Sequence, residues 1–414
     1  MNARVSRKAY IDGYGIMSSE NFARVRERFD AMGMHVGEME VANGILVPAL
    51  GDSFVRKAFT MTDFLYEVEE AYVQKSLERA HAPAKTRLAF GLGDVRSMPA
   101  KREGEQKPQD EAGVKCVVVF PKNRAEGLPS VIGFGATFSG KNGVPVLCAD
   151  THLTDMRTGA GGGIAVKYLA NKGSRVVSFI GAGNQARTQL MAIVEIAKQT
   201  GMALSVVYVC DPNMEAEEEF ANLARQYGLA VIGNPEARVA VKNADIVVLT
   251  TPRNAGEGEG IAYEWLKEGT TVLAIGADGE GKQEMAPDAL EKIVQAGGRI
   301  VVDDIEQASH SGECHLPVRQ GRVQENDLTE IGDIITQKQL VVGYTHDDEL
   351  PPEPIYAMAK GRENEKQIVV YDATGIGVLD LFGNSRARRK FAEMTAQLLA
   401  GGMDEVLLRG AGAL

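Results

Sequence analysis

The stretch VVSFIGAGNQARTQLMAIVEIAKQTGMALSVVYVCD, residues 176–211, restricts the fold more than any other part of the 414-residue chain. An apolar strand-like run, Val176–Ile180, leads straight into Gly181-Ala182-Gly183-Asn184-Gln185-Ala186. A helical pattern follows to Lys198, and a second apolar run ends at Asp211. Strand, glycine turn, helix, strand and terminal acid in that order predict a βαβ unit of the Rossmann type. Gly181 permits the tight turn after the strand. Gly183 lets backbone approach a diphosphate where a Cβ would intrude, and Ala186 is small enough for helix to pack on strand. The helix N-terminus offers unpaired N–H groups and a positive dipole end to the phosphates.

Asp211 lies 30 positions past Gly181 (211 − 181), so the intervening helix is expected to be long. A carboxylate there suits the two ribose hydroxyls of NAD and repels the 2′-phosphate of NADP. No Arg or Lys follows in Pro212–Glu217 to receive such a phosphate, so NAD is expected in preference to NADP. The alternative is that Asp211 caps the next helix.

The length suggests two or three domains with ample core. The net charge of −11 argues against nucleic acid or an anionic membrane as partner. The N-terminus holds no unbroken apolar h-region, and no later run is apolar for about eighteen residues. No signal peptide, no membrane span and a cytoplasmic location are therefore expected. Cys116, Cys148, Cys210 and Cys314 are scattered without a CxxC and are read as reduced, mostly buried thiols.

Before the glycine turn the pattern predicts helices at Ser18–Met32 and Thr60–Ala80. The second carries Phe64, Val68, Ala71 and Tyr72 inward and Glu67, Glu69 and Glu70 outward. The polar segment 91–112 reads as a surface loop. Strands are expected at Gly113–Pro121, Val131–Phe138 and Val144–Asp150, then a helix at Thr154–Ala170. After it, strands at Val176–Ile180, Ser205–Cys210, Ala230–Ile232, Ile246–Thr250, Thr271–Ile275, Arg299–Asp303 and Gln367–Tyr371 alternate with helices at 184–199, 214–227, 286–296 and 324–336. Alternation of this kind means an α/β fold with a doubly wound parallel sheet. Segment 337–366 reads as a long excursion, and a helix at Asn384–Ala400 closes the chain before a Gly-rich tail.

Several groups suit chemistry. Asp278 stands on the Gly-rich turn 276–284 after the Thr271–Ile275 strand, and Ala277 precedes it. Ligands of open α/β sheets sit beyond strand carboxyl ends, so Asp278 can reach a nicotinamide-side substrate; a helix-cap or turn Asp is the alternative. Thr250 and Thr251 end the preceding strand, where hydroxyls and amides face a cofactor. Arg157, before the TGAGGG run 158–163, can reach a diphosphate or carboxylate, or serve as an ordinary interdomain ion pair. Lys115 is a cation inside an apolar strand and needs an anion, either a substrate carboxylate or a structural acid. Lys85 and Arg87, on an extended segment, can share that carboxylate. His310 and His315, with Glu313 and Cys314 nearby, invite a zinc reading. Their i, i+5 spacing does not bring two imidazoles onto one helix face, so no metal is expected.

These residues resemble the ornithine cyclodeaminase/μ-crystallin family over roughly residues 60–400. The matching pieces are VKCVVVFPKN around Lys115, DMRTGA (155–160), the GAGNQA turn, GADGEGKQE (276–284), VVDDIEQASHSGE (301–313) and YDATGIG (371–377). The resemblance implies an NAD(P)-dependent homodimer. Its expected parts are a Rossmann domain, 158–382, and an α+β substrate-binding and dimerisation domain from 1–157 with 383–414. It implies that Lys115 binds the substrate carboxylate and that Asp278 is the acid/base group. Ser130, Arg157, Asn184, Gln185, Asp211, Thr250, Lys282 and Ala373 fall at cofactor-contact positions, and Thr374 faces the substrate. The basic residue of the family's P-x-R segment is Lys85 here, which offers a point charge instead of a two-pronged fork. Ornithine-eliminating members carry Gly-Gly-Asp-Cys-Pro before the GK pair. This chain has Gly-Ala-Asp-Gly-Glu, nearer the alanine dehydrogenase and ketimine reductase branch.

The leading expectation is an NAD-dependent oxidoreductase on the C–N bond of an amino or imino acid. The alternatives are redox-neutral cyclodeamination of ornithine or lysine, and a crystallin-like binding protein without catalysis.

Overall fold

Two compact units make up the computed structural model, which describes residues 8–11, 15–40, 45–104, 110–149, 151–252, 260–342 and 361–399. The first comprises the described residues of Met1–Glu67, Arg79–Thr154 and Gly377–Leu414; the second, Val68–Glu78 and the described residues of Asp155–Ile376.

The first unit is built on a ten-stranded sheet: β1 Lys8–Ile11, β2 Gly15–Ser18, β3 Val36–Glu40, β4 Ile45–Leu50, β5 Ala80–His81, β6 Thr86–Phe90, β7 Gly93–Arg102, β8 Glu111–Val119, β9 Val131–Ser139 and β10 Pro145–Ala149. Its order is β2-β1-β4-β10-β9-β8-β7-β5, with β3 on β4 and β6 on β7. The helix Gly377–Leu399 lies on β7, β8 and β9. Glycines make this approach close: a Cβ at Gly135 would stand 2.2 Å from Asn384, and one at Gly113 2.9 Å from Leu381. That helix begins at Gly377, ahead of the expected Asn384.

The expected loop 91–112 is instead largely strand, because β7 spans 93–102 and β8 starts at Glu111. Its alternation was hidden because charged residues, Asp94 and Arg96, occupy buried positions beside Met98 and Ala100. They neutralise each other through an Arg96 Nε to Asp94 Oδ1 bond of 2.8 Å. Glu67 is a second correction: on the helix Met61–Ser76 it is buried, where Arg389 donates to both its carboxylate oxygens at 2.9 and 3.0 Å.

The second unit holds β11 Val176–Ile180, β12 Val206–Cys210, β13 Ala230–Gly233, β14 Ile246–Leu249, β15 Thr271–Ala274, β16 Arg299–Val302, β17 Leu328–Glu330 and β18 Val369–Asp372. Their order is β13-β12-β11-β14-β15-β18-β16-β17, with every pairing parallel. The chain winds outward from β11 to β13 and then crosses back to β14. That reversal opens a crevice at the carboxyl ends of β11 and β14. Both faces of the sheet are covered, so β14, β15 and β18 are buried at every position.

The expected helix 324–336 divides into a 3₁₀ turn Glu325–Asp327, the short β17 and the helix Ile331–Val342. The helices Ala237–Asn243, Ile305–His310 and His315–Arg319, too short to show a periodicity, were not anticipated. Most of the expected excursion 337–366, and the Gly-rich tail, lie outside the described residues. No helix among the described residues is long and apolar enough to cross a membrane.

Candidate active site

Gly181, the residue after β11, has φ 102°, a conformation that excludes ordinary side chains. A Cβ there would also stand 2.8 Å from Thr250 Oγ1. Gly183 is the N-cap of the helix Asn184–Thr200, and no side chain caps it. A Cβ on Gly183 would meet nothing within 4 Å, so the helix end faces open space. An uncapped seventeen-residue helix behind an open glycine turn is the seat a diphosphate needs.

Asp211, just past β12, accepts the Ala182 N–H at 2.7 Å through one oxygen and the Asn213 N–H at 2.8 Å through the other. The next helix is capped by Asn213, whose Oδ1 accepts from Glu215 and Ala216. The acid is thus tied to the glycine turn rather than spent on a helix cap. Gln185 donates to Asp155 at 2.7 Å, while its buried Oε1 has no hydrogen-bond partner among the described residues. The TGAGGG run serves packing: a Cβ at Gly159 would lie 2.6 Å from Thr188 O, and one at Gly162 1.8 Å from Gln189 Oε1. These glycines let the helix Thr151–Leu169 press against the helix Asn184–Thr200. This fit, with Asp211 beside the turn and no cation at 212–217, suits NAD.

Further along the same sheet edge, Thr250 and Thr251 follow β14, Ala277 and Asp278 follow β15, and Ala373 and Thr374 follow β18. Ala277 is buried, whereas the Asp278 side chain is 42% exposed and pairs with Lys282 at 2.8 Å. No helix occupies 276–284, so Asp278 is a turn residue and not a helix cap. Asp303 at the end of β16 accepts Thr374 Oγ1 at 2.7 Å and Gly375 N–H at 2.6 Å. Arg157 is buried, and its guanidinium would lie 3.2 Å from a Cβ at Gly375. Beneath this edge lie further buried acids. Burial drives Asp372 up to about 7, against the pull of the Cys314 N–H and with Asp303 adding to the rise. Burial, with Glu284 and Asp372 as neighbours, holds Glu313 well above the usual carboxylate range. Sequence reading named neither Asp303, Asp372 nor Glu284 as a site group; their presence in the matching motifs was the available signal.

His310 and His315 turn their Nδ1 atoms to the carbonyls of Glu306 and Ser309. Among the described residues no three His, Cys, Asp or Glu groups are arranged to hold a metal ion.

The remaining expected residues belong to the first unit. Lys115 is buried on β8, with its Nζ 2.6 Å from Thr154 Oγ1 and 3.4 Å from the buried Asp380. Cross-strand pairing puts Arg96 and Arg87 opposite each other, and Met98 opposite Lys115. Lys115, Arg96 and Arg87 therefore share one sheet face. Arg87 and Arg96 both grip Asp94, at 2.9 and 2.8 Å. Burial works to raise that carboxyl, and the two guanidiniums outweigh it, holding it below its usual range. Lys85 is half-buried just before β6, and Ser130 precedes β9 with its buried hydroxyl lacking a hydrogen-bond partner among the described residues.

The model of the Ornithine cyclodeaminase/mu-crystallin family matches residues 51–350. Alanine dehydrogenase of Archaeoglobus fulgidus is 34% identical over 329 residues, 79% of this chain and 89% of that protein. Among solved structures, an archaeal alanine dehydrogenase dimer with bound NAD matches with a TM-score of 0.69 and 32% identity, covering 84% of this chain and 96% of that one. Thermococcus litoralis Delta(1)-pyrroline-2-carboxylate reductase, solved with NADH and L-proline, matches with a TM-score of 0.71 and 27% identity, over 86% and 98%.

Proposed function

Because the chain belongs to the ornithine cyclodeaminase/mu-crystallin family, we propose that it is an NAD-dependent oxidoreductase acting on the C–N bond of an amino or imino acid. The observation that carries the reading is the exposed carboxyl of Asp278 on the sheet edge that also bears the open glycine turn. The dinucleotide, when bound, would exchange a hydride with the substrate Cα, NAD accepting it from an amino acid and NADH giving it to an imine. The helix end at Asn184 and the turn Gly181–Gly183 hold its diphosphate, and Asp211 takes its ribose hydroxyls. Thr250, Thr251, Ala277, Lys282, Ala373, Arg157, Gln185 and Ser130 complete its contacts.

Lys115, Lys85 and Arg87 bind the substrate carboxylate, and Thr374 faces the substrate. Asp278 bonds to the substrate nitrogen and moves its proton as the imine forms or is reduced. Holding the carboxylate fixes Cα for hydride exchange, and positioning of this kind lowers a barrier by several kcal/mol, up to roughly 7–11. The relatives named as an alanine dehydrogenase and a pyrroline-2-carboxylate reductase support this assignment. So does the Gly-Ala-Asp-Gly-Glu turn.

The test is NADH absorbance with 2-oxo acids plus ammonia or amines, and with cyclic imines, scored together with ammonia release. NADH consumption is the expected result. Ammonia from ornithine or lysine without net NADH would instead establish cyclodeamination, and nucleotide binding without turnover would establish a binding protein.

A homodimer is part of the reading. The sheet face of the first unit away from helix Gly377–Leu399 carries Leu88, Phe90, Ile132 and Phe134 exposed, with Val95, Val114 and Val118 half-buried among them. A second copy suits this face, since covering each large side chain contributes roughly 1.5–3 kcal/mol. Leu88→Asp with Phe134→Asp is expected to give a folded monomer by light scattering; an unchanged dimer would move the interface elsewhere. The compartment proposed is the cytoplasm, in keeping with four cysteines that are all free thiols.

A further inference from the structure

The turn that carries Asp278 ends in Glu284, a carboxylate inside the protein with 2% exposure. Its Oε1 accepts the Thr251 N–H at 2.5 Å and the Thr251 hydroxyl at 2.7 Å, and its Oε2 accepts the Gly276 N–H at 2.7 Å. One side chain thus ties the segment after β14 to the first residue of the Asp278 turn. The backbone of Glu284 is itself held. Its N–H donates to Glu313, the Met285 N–H donates to Glu313 Oε2 at 3.3 Å, and its carbonyl accepts from Ile261 at 2.9 Å. Both ends of the turn 276–284 are therefore pinned, and backbone bonds inside it run from Asp278 N–H to Gly276 O and from Lys282 N–H to Gly279 O. Gly276 leaves the clamp no slack: a Cβ there would be 2.5 Å from Thr251 O and 2.7 Å from Glu284 Oε1.

We propose that Glu284 is the positioning residue of this site, fixing where Asp278 stands by holding Gly276 and Thr251 with one buried carboxylate. It acts through the backbone and touches no substrate. The assignment rests on the acid/base role proposed for Asp278. Glutamine keeps the shape of Glu284 but turns one acceptor into an NH₂, which must then face the N–H of either Gly276 or Thr251. One end of the clamp opens, and Asp278 moves relative to the reacting atoms.

The test compares Glu284→Gln and Glu284→Asp with Ile293→Ala, a core truncation outside the turn that lowers stability by cavity formation. Steady-state kinetics, NADH fluorescence titration and hydrogen exchange of the 276–283 amides are measured on the full chain. Glu284→Gln is expected to lower kcat between roughly 10- and 100-fold, with a much smaller change in NADH affinity and faster exchange across the turn. Glu284→Asp, which keeps the carboxyl group and its two oxygens, is expected to recover part of the loss. Ile293→Ala is expected to match the drop in melting temperature without the drop in kcat. Equal kcat in Glu284→Gln and Ile293→Ala, or unchanged exchange at 276–283, overturns the proposal. Should the unaltered protein turn over no amino or imino acid, the oxidoreductase reading falls, and exchange still decides whether Glu284 holds the turn.

Discussion

Asp278→Asn is expected to lower turnover by about 10²- to 10⁴-fold while NADH still binds, the range that a positioned acid/base group contributes. Asparagine fills the same space but can neither take nor give the proton of the substrate nitrogen. The side chain is 42% exposed on a turn and pairs with Lys282 at 2.8 Å, so its replacement should leave the fold intact. Melting temperature and NADH affinity close to those of the unaltered protein would establish this. Single-turnover hydride transfer at a rate equal to that of the unaltered protein would remove Asp278 from the chemistry.

Lys115→Met is expected to act on stability and substrate affinity together. Lys115 and Asp380 are both buried, 3% and 1% exposed, and face each other at 3.4 Å. Removing the lysine takes one partner from a buried ion pair, which costs about 3–5 kcal/mol. Denaturant unfolding measures that loss. The substrate role is read from the Michaelis constant: Lys115→Met should raise it for an amino or imino acid, whereas Asp380→Asn, which keeps the cation, should raise it far less. Equal Michaelis constants in the two variants would reduce Lys115 to the partner of a structural acid.

Where apolar periodicity was strong, the chain could be read directly. The strand, glycine turn and helix at 176–200 and the alternation that follows them specify a parallel sheet, because only that arrangement buries every face of such strands. The glycine turn and the helix behind it are legible for the same reason. Other parts depended on partners far away in the chain. β7 was misread because Asp94 and Arg96 look like surface residues until they are seen to neutralise each other. Glu67 was placed outside because the arginine that compensates it, Arg389, is 322 positions away. The acid opposite Lys115 could be foreseen in kind, but not as Asp380, which lies 265 positions on. Glu284 showed nothing of its role, since a glutamate in a polar turn reads as solvated until the N–H groups of Thr251 and Gly276 close around it.

On the reading proposed above, the bond between Asp211 and the Ala182 amide makes nucleotide preference and phosphate seating a single device. A ribose hydroxyl can donate to spare lone pairs of that carboxylate without disturbing the amide. Replacing Asp211 by a small neutral residue, the obvious route toward a phosphorylated ribose, would also release the middle residue of the loop proposed to cradle the diphosphate. Retargeting this protein to the other nicotinamide dinucleotide would therefore require a new anchor for the loop as well as a new cation, and a one-residue swap would weaken both dinucleotides.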